Sequence, residues 1–410
     1  MARPAATASS LPRPVLLTSV GLLARHIPLS TVSAVLTDHG KQPQRERLLP
    51  APFLVYLIIA LSLYMPYALR EVLRCVVEGL RGLSPRGVPR LAVATKGAIS
   101  RARTRLGWEV LADLFRRVAR PLAEARTPGA WYRGWRLVAL DGTSLAVPHT
   151  EENAAAFGTH ASKEGEGAFP LLRLVALVEV GTHALLRVAF DAWQVAEVVL
   201  AAQLVPAVGP EMLVIEDRGF VGYAWWREVQ VGGAAILCRV RSNMHFPVHR
   251  RLADGSYVSV LPPPRGEAGE AIPVRVIVYA LRGVPGADPV YRLITSLLDP
   301  DATPARELAA LYHERWETEG IFDEFKTHVR GGAHVVLRSK TPDLLRQEVY
   351  GLLLAHYVVR AVLHDAALQV GEDPDRLSFV HAVRVMRRKL PQAAGLFSPS
   401  AAAAAVPGAP

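Results

Sequence analysis

Two short apolar segments, each leading to an aspartate, constrain the fold of this chain more than any other feature. Residues 136–140 (RLVAL) run directly into Asp141, and residues 212–215 (MLVI) reach Asp217 after one further residue. Apolar runs of this length, followed by glycine-containing turns, predict buried β-strands. Active sites of open α/β sheets gather just beyond strand ends, so we expect both carboxylates to point into one shared crevice.

The rest of the chain divides by composition into segments of different secondary structure. Residues 1–128 have mostly helical spacing, and strands begin at about residue 129. A segment rich in strands and turns, residues 234–301, reads as a β insertion, with strands predicted at 235–240, 257–260, 274–279 and 291–296. Helices return over residues 302–390, so residues 129–233 and 302–390 are predicted to form one α/β catalytic domain. Residues 391–410 are an Ala/Pro-rich low-complexity tail.

The charge and the cysteine content restrict the partners and the compartment. The 410 residues include 47 Lys and Arg against 37 Asp and Glu, a net charge of +10. That excess favours a polyanionic partner, nucleic acid before membrane. The two cysteines, Cys75 and Cys238, are far apart and show no zinc-site spacing. A reducing, cytoplasmic compartment is therefore predicted.

One very apolar segment could suggest a membrane span. Residues 52–67 (PFLVYLIIALSLYMPY) are fewer than the roughly 20 that a bilayer span needs, and Pro66 interrupts them. The sequence predicts a buried helix of a helical domain and no membrane association. A membrane-attached protein that uses this segment is the alternative.

A basic segment in the N-terminal part is a candidate for DNA binding. Residues 96–106 (KGAISRARTRL) resemble the turn and second helix of a helix-turn-helix. Arg101, Arg103 and Arg105 form a cluster suited to DNA phosphates. The alternative is a solvated basic helix face.

The third acidic candidate lies on a helix predicted after the β insertion, from residue 304 to about 329. At roughly 100° per residue, four polar side chains fall within about 60° of one another beside the apolar side of the helix. These four are Tyr312, Arg315, Glu319 and Lys326. Glu314, Glu317 and Glu324 point away and are predicted to be ordinary surface acids.

Three carboxylates from separate elements suit one particular chemistry. Phosphodiester hydrolysis and transesterification proceed by in-line displacement, and two divalent ions about 4 Å apart can stabilise the attacking and leaving oxygens. Mg²⁺ and Mn²⁺ prefer carboxylate oxygen, so Asp141, Asp217 and Glu319 are the predicted metal ligands. Arg315 and Lys326 would hold phosphates, and Tyr312 would hydrogen-bond a phosphate or pack on sugar, so all three are DNA-binding candidates. Each residue alone has an ordinary explanation, a turn or an exposed ion pair, and only their combination and order carry weight.

At these residues the chain resembles the DDE transposases of bacterial insertion elements, in the insertion-element-four branch. The branch signature is Tyr, two residues, Arg, three residues, Glu, six residues, Lys, which residues 312, 315, 319 and 326 match without a change in spacing. Residues 141–143 match the first motif, Asp-Gly-Thr. Residues 217–220 match the second, Asp-Arg-Gly-Phe or Tyr. The resemblance covers residues 20 to 390.

The resemblance implies a fold and an activity. It implies an RNase H-like catalytic core with a β-rich insertion, preceded by a helical N-terminal DNA-binding domain. It also implies cut-and-paste transposition with two Mg²⁺ or Mn²⁺ ions, by a homodimer that binds the terminal inverted repeats and target DNA. Arg218, in the second motif, joins the DNA-binding candidates. Trp316 matches a tryptophan that stacks on a flipped base in relatives; simple packing is its alternative.

Departures from the family pattern leave two functional alternatives. Glu216 stands where relatives often have a small residue, and strand alternation predicts that it points to the opposite face from Asp217. Asp323 is a weaker rival to Glu319. The chain could instead be a catalytically inactive, transposase-derived DNA-binding regulator, or an RNase H-like nuclease that does not join strands.

Overall fold

The computed structural model describes residues 23–42, 49–65, 67–73, 94–162, 165–281, 288–313, 317–329 and 336–388. The helices within these ranges are α1 (Leu29–Asp38), α2 (Ala51–Leu63), α3 (Lys96–Leu106), α4 (Glu109–Val118), α5 (Glu151–Phe157), α6 (Glu197–Ala202), α7 (Tyr223–Val231), α8 (Ala305–His313), α9 (Glu317–Asp323), α10 (Pro342–Val370) and α11 (Phe379–Arg388). The strands are β1 (Trp131–Tyr132), β2 (Trp135–Ala146), β3 (Thr159–Ser162), β4 (Gly165–Glu179), β5 (Ala184–Ala192), β6 (Met212–Glu216), β7 (Ala235–Arg239), β8 (Arg250–Arg251), β9 (Tyr257–Leu261), β10 (Ile272–Tyr279) and β11 (Tyr291–Thr295).

The helical N-terminal part packs onto the long helix α10. Helix α2 is apolar on all sides, and every residue from Phe53 to Leu63 is buried. It packs against α10, and Gly351 permits the close approach, because a Cβ there would lie 2.9 Å from Ile58 Cγ2. The predicted burial of this apolar segment is confirmed over α2. Helix α10 has the length and hydropathy of a membrane span, but 78% of its apolar window is buried inside the protein.

Residues 96–106, the predicted turn and second helix of a helix-turn-helix, differ from that prediction. Residues Lys96–Leu106 form one continuous helix, which Thr95 caps by accepting a hydrogen bond from the Ala98 N–H. Gly107, with φ 84°, ends it, since a left-handed backbone costs glycine little. The turn that the sequence suggested inside residues 96–106 is therefore absent.

All the described strands belong to one mixed sheet. Its order is β3-β4-β2-β6-β7-β11-β10-β9-β8, with β1 on β2 and β5 on β4. Strand β4 pairs antiparallel with β2 and with β5, whereas β6 runs parallel to β2 and β7 runs parallel to β6. With helices on its faces, this arrangement confirms the expected α/β core.

The strands of the predicted β insertion extend this same sheet. Strand β7 pairs with β6 on one side and with β11 on the other, and β10, β9 and β8 follow in antiparallel pairs. The four strands predicted between residues 235 and 296 are confirmed. The boundaries of the insertion remain a prediction, because its first strand is a parallel partner of the core.

The sheet separates two hydrophobic cores. The larger one holds Val138 and Val214 together with α10 and the N-terminal helices. The smaller one holds their strand neighbours Ala139 and Ile215 under α8.

The single apolar side predicted for residues 304–329 is wrong. Leu308 packs in the smaller core, but Ile321 and Phe325 pack in the larger one. One other feature differs from one regular helix, because residues Glu324–Val329 are π-helical. Residues 314–316 lie outside the described part of the chain.

Candidate active site

Asp141 lies inside a strand and not at its end. The prediction that the strand stops at residue 140 is wrong, because β4 pairs with β2 as far as Ala146. What stops at Leu140 is the parallel pairing with β6. Asp141 is half-buried, and its Oδ1 accepts a hydrogen bond of 2.8 Å from the Gly142 N–H.

Asp217 directly follows the end of β6, the strand that pairs with β2 beside Asp141. Leu140 pairs with Glu216 in the parallel register, so the next residue of each strand is one of the two aspartates. Adjacent strands are about 4.8 Å apart. Side chains alternate along a strand, which puts both aspartates on the face of the smaller core. The sheet thus brings together two acids that are distant in sequence.

Helix α8 adds the first residue of the predicted helical signature. The hydroxyl of Tyr312 donates to Asp217 Oδ1 at 3.5 Å, the long limit of a hydrogen bond. Tyr312 is only 1% exposed and belongs to the smaller core, which fixes its ring. The sequence predicted a phenol near phosphate; the structure places it against the second aspartate.

The other signature residues are described to different extents. Arg315 and Trp316 lie outside the described residues. Glu319 lies in α9, which packs against β2, the strand of Asp141, but its side chain lies outside the described part. Lys326 is half-buried in the π-helical turn. The rival acid, Asp323, is exposed.

Glu216 occupies the opposite face, as predicted. It is fully buried, and its Oε1 accepts a 2.5 Å hydrogen bond from Trp225 Nε1. Burial raises the pKa of the Glu216 carboxyl to about 8, so the group is mostly neutral at pH 7. A neutral carboxyl that faces away from Asp217 has a structural role.

Arg239 is a neighbour of the site that sequence reasoning missed. Glu216 pairs with Cys238 in the parallel register, so Arg239 follows in the same row as Asp217. Its guanidinium forms an ion pair with Asp288 and lies over the Tyr291 ring, 4.6 Å from the centroid. Burial works to lower its pKa, but the hydrogen bond to Asp288 and the nearby Tyr312 and Asp217 raise it. The sequence signal that could have identified Arg239 is its position at the end of a parallel strand.

Glu197 is a second missed neighbour. Its carboxylate lies so close to Gly142 that a Cβ there would be 2.7 Å from Glu197 Oε1, and a Cβ at Gly219 would be 3.9 Å from Oε2. The glycines of both aspartate motifs therefore border this carboxylate. No local pattern marks Glu197, because only folding brings α6 to these turns.

The N-terminal arginines do not act as one set. Arg103 is buried; its Nε donates to Gln347 Oε1 at 2.9 Å, and its Nη2 donates to Ser339 Oγ and to the Leu344 carbonyl. A guanidinium committed to these partners is a link to α10, so the prediction that Arg103 contacts DNA is wrong. Arg101 and Arg105 on the same helix are exposed, as is Arg218.

The donor chemistry of the site fits a hard divalent cation. Asp141 on β2 and Asp217 directly after β6 offer carboxylate oxygens, which is the donor type that Mg²⁺ and Mn²⁺ prefer. Among the described side chains, no group of three His, Cys, Asp or Glu has metal-site geometry. The carboxylate of Glu319 is not among those side chains.

Comparisons with known proteins agree with this arrangement. Residues 17–116 match the N-terminal family of the insertion element 4 transposase, and residues 133–358 match the transposase DDE domain. The chain is 28% identical over 383 residues to the transposase InsG for insertion sequence element IS4 of Escherichia coli (strain K12), covering 91% of this chain and 83% of InsG. It is 27% identical over 203 residues to InsZ of the same organism, covering 49% of this chain and 64% of InsZ.

A solved structure is a more distant neighbour. The piggyBac transposase synaptic complex with hairpin DNA aligns with 94% of this chain and 82% of its own, at 12% identity and a TM-score of 0.42. No residue role is transferred from a similarity of that size.

The mixed sheet, the paired aspartates and the matched catalytic domain define an enzyme that cleaves DNA and transfers its strands. The chain belongs to the DDE transposases, and its N-terminal domain places it in the insertion element 4 family. It is the transposase of an insertion element.

Proposed function

We propose that Asp141, Asp217 and Glu319 are the catalytic residues and hold two Mg²⁺ or Mn²⁺ ions. The observation that supports this most is the parallel register of β2 with β6, whose last pair, Leu140 with Glu216, immediately precedes Asp141 and Asp217. Helix α9, which carries Glu319, packs on β2, the strand of Asp141. When bound, the ions would stabilise charge on the attacking and leaving oxygens of a phosphodiester.

The neighbouring side chains have supporting roles in this proposal. The Tyr312 hydroxyl orients the Asp217 carboxylate, and its burial prevents the ring from turning away. The Arg239 guanidinium, paired with Asp288 and stacked on Tyr291, would offer its remaining donors to a phosphate that the metal ions hold near Asp217. Arg315 and Lys326 contact phosphates of the cleaved strand, and Trp316 stacks on an extruded base.

Double-stranded DNA is the proposed partner at two surfaces. Exposed Arg101 and Arg105 contact phosphates outside the catalytic site, and exposed Arg218 contacts phosphates next to Asp217. The substrates are the terminal inverted repeats of the element and its target, joined by cut-and-paste transfer. The enzyme acts as a homodimer that grips two ends, in the cytoplasm at the nucleoid.

The test is cleavage of a duplex that carries the terminal repeat of the element, found in the DNA flanking the gene. Asp141→Asn, Asp217→Asn and Glu319→Gln should each lower the single-turnover rate in Mg²⁺ by roughly 1000-fold or more. Glu216→Gln is the matched control, because it replaces a mostly neutral carboxyl on the opposite face by a neutral amide. Asp323→Asn tests the rival acid.

The outcomes separate the alternatives. Normal cleavage by any of the three catalytic variants would remove that residue from the metal site. Loss of activity in Asp323→Asn with full activity in Glu319→Gln would move the third ligand to residue 323. Joining of pre-cleaved ends to target DNA distinguishes a transposase from a nuclease that only cuts.

A further inference from the structure

Glu324 is not the surface acid that its sequence position suggested. It begins the π-helical turn that follows α9, and its side chain is only 15% exposed. Arg360 of α10 forms an ion pair with both carboxylate oxygens, through Nη2 to Oε1 and through Nε to Oε2, the latter at 3.0 Å. His356, one turn earlier on α10, has Nε2 3.5 Å from the same oxygen. The Arg360 ion pair therefore anchors the carboxylate on α10, with His356 beside it.

The contacts continue beyond Glu324 to two other segments. Arg360 Nη2 lies 2.5 Å from His183 Nδ1, in the turn between β4 and β5. His183 Nε2 lies 3.0 Å from Asp375 Oδ1, in the 3₁₀ turn before α11. We call these five residues, Glu324, Arg360, His356, His183 and Asp375, the Glu324 cluster. It ties the π-helical turn to three parts of the protein that are far apart in sequence.

The charges of the Glu324 cluster are sealed by apolar packing. Arg360 is 2% exposed and His356 is fully buried, and the Phe379 ring covers both. Burial works to raise the pKa of Glu324, but hydrogen bonding to His356 and the charge of Arg360 outweigh it and hold the pKa below its ordinary value. The carboxylate is thus ionised and fixed, since a buried charge that loses its partner is strongly destabilised.

The location of the cluster connects it to catalysis. Glu324 follows Glu319 by five residues, and the helix between them packs on β2, which carries Asp141. A π-helical turn is rare, occurs frequently at functional sites, and changes the angular step of the helix. Anchoring Glu324 therefore fixes how far the segment with Glu319 and Lys326 is rotated about its axis.

We propose that Glu324 and Arg360 are positioning residues that hold the Glu319 helix in register with the two aspartate strands. The proposal rests on the proposed role of Glu319 as a metal ligand. Misplacement of a reacting group by about 1 Å can cost about 100-fold in rate, so a loosened anchor should weaken catalysis without loss of the fold.

The experiment compares Glu324→Gln with Glu179→Gln in the full-length enzyme. Glu179 is the matched control, because it is also a buried glutamate paired with an arginine, Arg136, but at the end of β2 away from Asp141. Four quantities are measured: the Mg²⁺ concentration for half-maximal cleavage, the rate at saturating Mg²⁺, the Kd for end DNA in Ca²⁺, and the unfolding temperature.

Glu324→Gln should raise the half-saturating Mg²⁺ concentration about fivefold and lower the saturated rate about tenfold, at temperatures where circular dichroism shows the folded state. Glu179→Gln should lower the unfolding temperature but leave both catalytic quantities unchanged. Arg360→Lys, which keeps the charge, should give smaller shifts in the same direction than Arg360→Met.

Two results would overturn the proposal. One is that Glu324→Gln changes only the unfolding temperature, as its control does. The other is that the Arg360 variants fold and cleave with wild-type Mg²⁺ dependence. Glu319→Gln separates a failure of the metal site from a failure of the positioning role. If Glu319→Gln still cleaves, the proposed metal site is wrong. If Glu319→Gln is inactive while Glu324→Gln cleaves like the wild type, only the positioning role is rejected.

Discussion

The hydroxyl of Tyr312 lies 3.5 Å from Oδ1 of Asp217, although 95 residues separate them in the chain. The phenol reaches the carboxylate because α8 packs on the face of the sheet where β6 ends. One residue of the helical signature is thereby joined to the second aspartate motif.

Tyr312→Phe should therefore slow cleavage and leave the fold intact. A long hydrogen bond to a charged group contributes about 1 kcal/mol, which corresponds to roughly a fivefold lower single-turnover rate. Tyr279→Phe is the control, because that hydroxyl contacts His313 at 3.1 Å instead. Equal rates for Tyr312→Phe and the wild type would mean that the hydroxyl does not orient Asp217.

Arg103→Met should lower stability and spare DNA binding. Its guanidinium donates to Gln347, Ser339 and Leu344, and removing it leaves buried acceptors unpaired, which costs about 3 kcal/mol. Denaturant unfolding measures that loss. Arg101→Met, on the exposed side of the same helix, should keep the stability and reduce the salt slope of DNA binding by about 1. A lower stability in Arg101→Met together with a reduced salt slope in Arg103→Met would reverse the roles given to these arginines.

The stability of the metal-free enzyme should fall as pH rises, because of Glu216. Its folded-state pKa of about 8 lies above the ordinary value of 4.5, so the folded state holds a proton that the unfolded chain releases. Its contribution is complete below pH 4.5 and is lost as pH rises through 8, with each pKa unit corresponding to about 1.4 kcal/mol.

Unfolding free energies of the wild type and Glu216→Gln, measured in EDTA from pH 5 to 9, check this. The variant should be more stable relative to the wild type at pH 9 than at pH 5. Parallel pH profiles for the two proteins would show that Glu216 is ionised in the fold.

The sequence predicted the parts of the fold that local patterns determine. Strand β6 was predicted from the four apolar residues at 212–215. Helix α2 was predicted to be buried because its apolar segment is too short, and too interrupted by proline, to span a membrane. Alternation alone placed Glu216 opposite Asp217, because a strand side chain has only two faces to choose from.

Several errors concern residues whose partners come from elsewhere in the chain. Strand β2 continues past Asp141 because β4 pairs with it, which no feature of residues 141–146 reveals. Arg103 was predicted to contact DNA phosphates and Glu324 to be a surface acid, but α10 supplies buried partners for both. Arg239 was missed because its place beside Asp217 arises from the register of β6 with β7.

Metal binding by the aspartate pair is the most direct test of the central claim. Calorimetric titration of Mn²⁺ into the enzyme bound to pre-cleaved end DNA should show at least about tenfold weaker binding for Asp141→Asn and for Asp217→Asn. Glu216→Gln should bind Mn²⁺ as the wild type does. Wild-type Mn²⁺ affinity in both aspartate variants would contradict a metal site built by the register of β2 with β6.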